Sequence, residues 1–205
     1  MKVVQIKGSN GSGKTTIVKD LMSFSSDVEY LLDDNSKCYA TAFHDLGWAA
    51  LGKYSPDKVM GGVDSSFSTI DCIKLGIQIC VNYANDNNFY GVVFEGMMIS
   101  TIKSTFYDYL LGMENSHDIE PVFVILETTP SGCLRRIEGR GTKKPGLKFE
   151  NLVGKCTGVL RHAITYNQKY VRWMDVEALE QDDMLPMFLK LVGDNELLDA
   201  VLLTR

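Results

Sequence analysis

Eight residues near the start of the chain, Gly8-Ser9-Asn10-Gly11-Ser12-Gly13-Lys14-Thr15, fit the pattern G-x-x-x-x-G-K-[ST]. The flanks constrain the fold as much as the loop does. Val3-Val4-Gln5-Ile6 reads as a buried strand, and residues 14–24 read as a helix with Ile17, Val18 and Leu21 on its apolar side. A strand, a glycine turn and a helix N-terminus together make an anion site. The glycines let backbone N–H groups converge, and the helix end adds partial positive charge. Gly8, Ser9, Asn10, Gly11, Ser12, Gly13, Lys14, Thr15 and Thr16 are therefore the candidate nucleotide-binding residues. Lys14 is expected to reach the β- and γ-phosphates of ATP, and the Thr15 hydroxyl to take a Mg²⁺ ion.

Further along, strands alternate with helices. Apolar runs at Tyr90–Phe94 and Pro121–Leu126 read as buried parallel strands. Tyr30–Leu32 is a short second strand, and the segments 37–43 and 47–54 suit a hairpin turning at His44-Asp45-Leu46. Helices are expected at 68–85, 103–113, 131–140, 149–171 and 185–191. This pattern predicts an α/β fold, a three-layer sandwich with a parallel sheet covered on both faces. The 205 residues, 45% of them hydrophobic, suffice for one such domain over 1–205. Ligands of these sheets sit at the carboxyl ends of the strands, so the chemistry is expected in the loops after residues 7, 34, 94 and 126.

Glu95 directly follows an apolar strand, where it can hold Mg²⁺ or accept a proton. Asp33 and Asp34 end the second strand. Either can act as a base toward an incoming hydroxyl, or simply form a turn. Gly61-Gly62-Val63-Asp64 precedes a helix, so Asp64 is either a substrate ligand or an N-cap. Trp48, Tyr54, Phe67 and Phe106 can stack a base, although most aromatics in such a fold are core. The five cysteines form no C-x-x-C pair and read as reduced thiols of a cytoplasmic protein. The three histidines lie far apart, which disfavours zinc. No apolar run is long enough to cross a bilayer, and the immediate first strand leaves no room for a signal peptide.

The net charge of −5 hides an asymmetry. Between Arg135 and Arg172, ten Lys and Arg face only Glu138 and Glu150, so the segment carries +8 and the remainder −13. A basic segment in an acidic chain suits a local phosphate site better than general nucleic-acid coating. Arg136 and Arg140 share a helix face and lead into Gly141-Thr142-Lys143-Lys144-Pro145-Gly146, a candidate basic lid over about residues 139–149. Their guanidinium forks suit phosphate oxygens.

These pieces resemble the phosphate-loop kinases related to thymidylate kinase. The resemblance rests on Gly8–Thr15, the strand-end Glu95, and Val124-Ile125-Leu126-Glu127-Thr128-Thr129-Pro130 running through Arg136 to Arg140. It implies catalytic roles for Lys14, Glu95, Asp34, Arg136 and Arg140. Such kinases usually carry Asp-Arg after the acid-bearing strand, where this chain has Glu95-Gly96. The missing arginine speaks against a free nucleoside monophosphate as acceptor. Gly52-Lys53-Tyr54, Gly61-Gly62-Val63-Asp64 and Glu95-Gly96 are similar instead to phage-encoded kinases acting on 5-hydroxymethyluracil in DNA. That resemblance implies γ-phosphate transfer from ATP to the hydroxymethyl group of a modified thymine in DNA, with Tyr54, Asp64, Lys143 and Lys144 on the acceptor side. A nucleoside or deoxynucleoside monophosphate kinase is the alternative. A non-catalytic ATP-binding regulator is a third class. No Asn-Lys-x-Asp guanine motif supports a GTPase.

Overall fold

Residues 1–55, 61–96, 99–100, 105–139 and 148–204 are described by the structure, a computed structural model. The apolar run β1 (Lys2–Lys7) pairs in parallel with β5 (Gly91–Glu95) on one side and β6 (Glu120–Glu127) on the other. The sheet continues through β4 (Trp48–Leu51) beyond β5 and β7 (Val171–Asp175) beyond β6, both parallel. β5 is buried at every position, as expected of a strand covered on both faces. Register sets the site: Ile6 lies beside Glu95 and Val124, so the loop after β1 and the end of β5 leave the sheet together.

The sheet is mixed, not wholly parallel. β3 (Cys38–Phe43) runs antiparallel to β4, and β2 (Val28–Leu32) antiparallel to β3, giving the order β2-β3-β4-β5-β1-β6-β7. The hairpin at His44–Leu46 is the expected one. Because a two-strand excursion restores direction, β2 still ends at the same edge of the sheet as β5.

One face is covered by α3 (Ile70–Asp86), α4 (Thr105–His117) and α6 (Phe149–Ala163). The other is covered by α1 (Lys14–Phe24), α7 (Met184–Val192) and α8 (Asn195–Leu203). The short α2 (Val63–Ser66) precedes α3, and α5 (Pro130–Gly139) packs on α6 through Cys133, Ile137, Leu152 and Cys156. Among the described residues, no helix is long and apolar enough to cross a membrane.

Two expectations fail near the C-terminus. The long helix over 149–171 stops at Ala163, and the rest of that span leads into β7, which begins at Val171. Asn167 caps a single 3₁₀ turn there, its side chain accepting from the Lys169 amide, and this reverses the chain without a glycine or proline. A second helix, α8, follows the expected C-terminal one after Gly193 adopts a left-handed φ of 78°.

The edge of the sheet away from the strand ends is tied down by one buried pair. Trp48 Nε1 donates to Asp194 Oδ2 at 2.8 Å, while Asp194 Oδ1 accepts from the Leu197 amide at 3.2 Å and caps α8. Asp194→Ala strands the indole N–H and removes the cap. We expect it to cost ~2–4 kcal/mol in urea unfolding. A loss below ~0.5 kcal/mol would contradict the pairing.

Candidate active site

The loop after β1 turns through Gly11 (φ 79°) and Gly13 (φ 99°), both in the left-handed region open to glycine. Gly13 is the N-cap of α1, and no side chain caps that helix. The first-turn amides are thus left to an anion. The Lys14 ammonium curls back over the loop, donating to the Gly8 carbonyl at 2.9 Å and the Ser9 carbonyl at 2.8 Å. Beneath the loop, Ser9 Oγ lies 2.8 Å from Cys133 Sγ and accepts from Cys156 Sγ at 3.2 Å, which seats the loop on α5 and α6. The Ser12 hydroxyl is buried and finds no hydrogen-bond partner among the described residues.

Next to the loop stands Glu95. The Thr15 hydroxyl donates to its Oε1 at 2.9 Å, and the Tyr54 hydroxyl donates to the same oxygen at 3.4 Å. Burial pushes the Glu95 carboxyl above the ordinary carboxylate range; the Lys14 charge and the Thr15 bond oppose this, and Asp64 adds to it. Tyr54 stays a neutral phenol, because its burial and the nearby Glu95 carboxylate hold its pKa far above the usual value.

The two short motifs flagged in the sequence meet here. A Cβ on Gly62 would lie 2.5 Å from Glu95 Oε1, and one on Gly96 would lie 2.8 Å from Asp64 Oδ1. The glycine pair therefore lets α2 approach the end of β5, and the missing side chain at position 96 makes room for Asp64. Asp64 is exposed and is not an N-cap, since Gly62 holds that position. Asp64 and Glu95 thus flank one spot beside Thr15.

On the other side of the loop lies a cleft of about 580 Å³ lined by Thr16, Lys19, Arg135, Arg136, Glu177 and Gln181, among others. Arg136 is the structural centre of that wall. Its Nη1 donates to Thr128 Oγ1 at 3.0 Å and its Nη2 to the Val176 carbonyl at 2.9 Å, with Glu177 Oε1 at 3.5 Å. Burial works to raise the Glu177 carboxyl, but bonds from the Thr128 hydroxyl and the Thr129 amide, with the Arg136 charge, outweigh it and lower its pKa. Glu177 follows the strand that sequence periodicity missed. The sequence Val171-Arg172-Trp173-Met174-Asp175 carries no period-two pattern that could have found it, since its buried residues are Val171 and Met174.

Other sequence-level candidates lie elsewhere. Asp33 is a turn residue, its carboxylate accepting from the Asn35 amide at 3.0 Å and the Lys37 amide at 2.8 Å. Asp34 is exposed in the same turn, and β2 stands three strands from β5, roughly 14 Å at ~4.8 Å per strand. The structure does not bring Asp34 together with Lys14 and Glu95. Trp48 and Phe106 are core residues, and Phe67 packs against Gly76 of α3. Arg140, Lys143 and Lys144, and with them most of the expected basic lid, lie outside the described residues.

The family profile described as 5-hmdU DNA kinase matches residues 2–170. The chain belongs to the 5-hmdU DNA kinase family. Relatives in this family are phage proteins. The 5-hmdU DNA kinase of Bacillus phage SP10 is 25% identical over 199 residues, covering 94% of this chain and 30% of that protein. The 5-hmdU DNA kinase of Pseudomonas phage M6 is 26% identical over 163 residues, covering 78% and 83%. The 5-hmdU DNA kinase 1 of Salmonella phage ViI is 30% identical over 136 residues, covering 66% and 57%. The chain therefore spans under a third of the SP10 relative and just over half of the ViI relative. Among solved structures, deoxyadenosine kinase from M. mycoides with bound dCTP is 11% identical, with a TM-score of 0.47 over 94% of this chain and 99% of that one. The same kinase with bound dATP is 12% identical, with a TM-score of 0.43 over 93% and 99%.

Gly62 offers a test of the acid corner. Its φ of 82° and ψ of −171° belong to a region that is essentially glycine-only. Gly62→Ala adds that strain to a collision with Glu95, and we expect a loss of ~2–3 kcal/mol by urea unfolding. Unaltered stability would mean that Glu95 and α2 do not approach as described.

Proposed function

We propose that this chain transfers the γ-phosphate of ATP to a hydroxyl acceptor, and that the acceptor is the hydroxymethyl group of 5-hydroxymethyluracil in DNA. The observation that carries this reading is the meeting of Glu95, Asp64 and Gly96 beside Lys14 and Thr15. Membership of the 5-hmdU DNA kinase family supports the acceptor.

The donor half is the loop. Its amides and Lys14 hold phosphate oxygens, and releasing Lys14 from the Gly8 and Ser9 carbonyls exchanges neutral hydrogen bonds for charge-assisted ones. Thr15 Oγ1 and Glu95 Oε1, 2.9 Å apart, are oxygen donors suited to Mg²⁺, which when bound neutralises charge on the phosphates. The cleft beside Arg136 receives the nucleoside end of ATP; because its fork already holds Thr128 and Val176, Arg136 acts by keeping that wall in shape.

In the transfer, the acceptor oxygen bonds to the γ-phosphorus, the bond from that phosphorus to the β–γ bridging oxygen breaks, and ADP leaves. The acceptor proton must go to a carboxylate. Asp64 suits this role, being exposed beside Glu95 on the acceptor side. Asp64 also puts a negative charge where a phosphate-bearing acceptor would need a cation, which disfavours free nucleoside monophosphates.

Incubation with γ-labelled ATP and a panel of acceptors tests the reading. Label should pass to hydroxymethyluracil-containing DNA and not to unmodified DNA. Label on free nucleosides or deoxynucleotides alone would replace the acceptor assignment, and hydrolysis without any acceptor would leave only an ATP-binding regulator. Asp64→Asn should lower kcat ~10²-fold or more with ATP binding intact. Lys14→Met should abolish transfer in a protein that still folds, with a lower urea midpoint because the charge facing buried Glu95 is lost, and turnover at the original rate would exclude the loop mechanism.

A further inference from the structure

Directly before the phosphate loop, β1 ends in a fully buried lysine. Lys7 is 0% exposed, and the pleat sets Val3, Gln5 and Lys7 on the face covered by α4 and α6. Its ammonium donates to the Ile99 carbonyl at 3.3 Å and to the Tyr166 hydroxyl at 3.0 Å, and it sits 5.4 Å from the centre of the Tyr166 ring. That ring is stacked on Tyr107 with centroids 4.2 Å apart and planes 9° from parallel. Tyr166 is thus a rigid seat on the helix layer.

The same carbonyl is held twice, since Gln5 Nε2 also donates to it at 3.3 Å. The adjacent Ser100 hydroxyl donates to the Gly96 carbonyl at 2.7 Å and accepts from the Gly8 amide at 3.4 Å. Gly96 in turn is the residue against which Asp64 lies. Gln5, Lys7 and Gly8 are therefore three successive anchors, from the last strand residues and the first loop residue, onto the chain that leaves Glu95.

A buried ammonium is an expensive way to fill this space. Burial lowers the Lys7 pKa to about 8, and an unbranched apolar side chain of similar length would fill the position without that desolvation. Groups that cost the fold stability tend to be found where function needs them.

We infer that Lys7 is a positioning residue for the proposed transfer reaction: its ammonium holds the Ile99 carbonyl, and with Ser100 bonded to Gly96 this sets Glu95 and Asp64 against the root of the phosphate loop. Lys7 touches neither substrate itself. The inference rests on the proposed reaction, and its test has one readout that does not.

Lys7→Met keeps the length and apolar filling of the side chain and removes its charge and donors. We expect its Tm at or above that of the unaltered protein, a fall in kcat of about tenfold, and a KM for ATP changed by less than about twofold. Hydrogen exchange at the Ile99 and Ser100 amides should quicken about tenfold while the rest of β1 stays protected. A purely structural lysine would instead lower Tm and slow every step together. Unchanged exchange at Ile99 and Ser100 overturns the inference, as does faster exchange with kcat intact. Should the unaltered protein phosphorylate no acceptor, the functional reading fails, and the exchange measurement alone then decides whether Lys7 fixes Ile99 and Ser100.

Discussion

Burying the Glu95 carboxylate is the constraint on which the rest of the site hangs. A lone carboxylate in an apolar interior costs several kcal/mol, and only hydrogen bonds and nearby positive charge offset it. Thr15 and Tyr54 supply the bonds, and Lys14 supplies the charge. Lys14 and Thr15 open helix α1, Tyr54 follows β4, and Glu95 itself ends β5. Satisfying one carboxylate thus brings three parts of the chain to one point. It also dictates glycine at position 62, because any side chain there would occupy the space of the carboxylate.

The site divides into two walls along β1. On the β6–β7 side, Arg136, Thr128 and Glu177 knit the cleft wall from side chains of three segments. A side chain at Gly132 would take the place of the Glu177 carboxylate, so the first turn of α5 is fitted to this knot. On the β5 side, the wall is built of main chain and glycines, with the Glu95 carboxylate buried in it and Asp64 exposed. The β6–β7 wall is cationic and the β5 wall anionic.

The phosphate loop, Glu95 and both motifs around Gly62 and Gly96 are legible in the sequence because they rest on local rules: positive φ, strand ends, and close backbone approach. The central strands are legible for the same reason, as unbroken apolar runs. β7 is not, because it is an edge strand whose burial follows no alternation, with an entry turn made by Asn167 rather than by glycine or proline. Glu177 is hidden with it. The position of Asp34 is equally unreadable, since a turn aspartate after a strand looks the same whether that strand adjoins β5 or stands at the edge. Lys7 ends a strand that reads as buried, but nothing local in the sequence shows that Ile99 and Tyr166 hold its ammonium.

The contact between Asp64 and Gly96 also governs how this surface can change over time. Any residue larger than glycine at 96 meets Val63 and the Asp64 carboxylate at once, and an aspartate at 64 has room only while 96 stays bare. The two positions therefore form a mutual lock. An arginine introduced at 96 alone collides, and loss of the carboxylate at 64 alone leaves an empty notch with no new ligand. A change of side chain at either position therefore constrains what the other can hold.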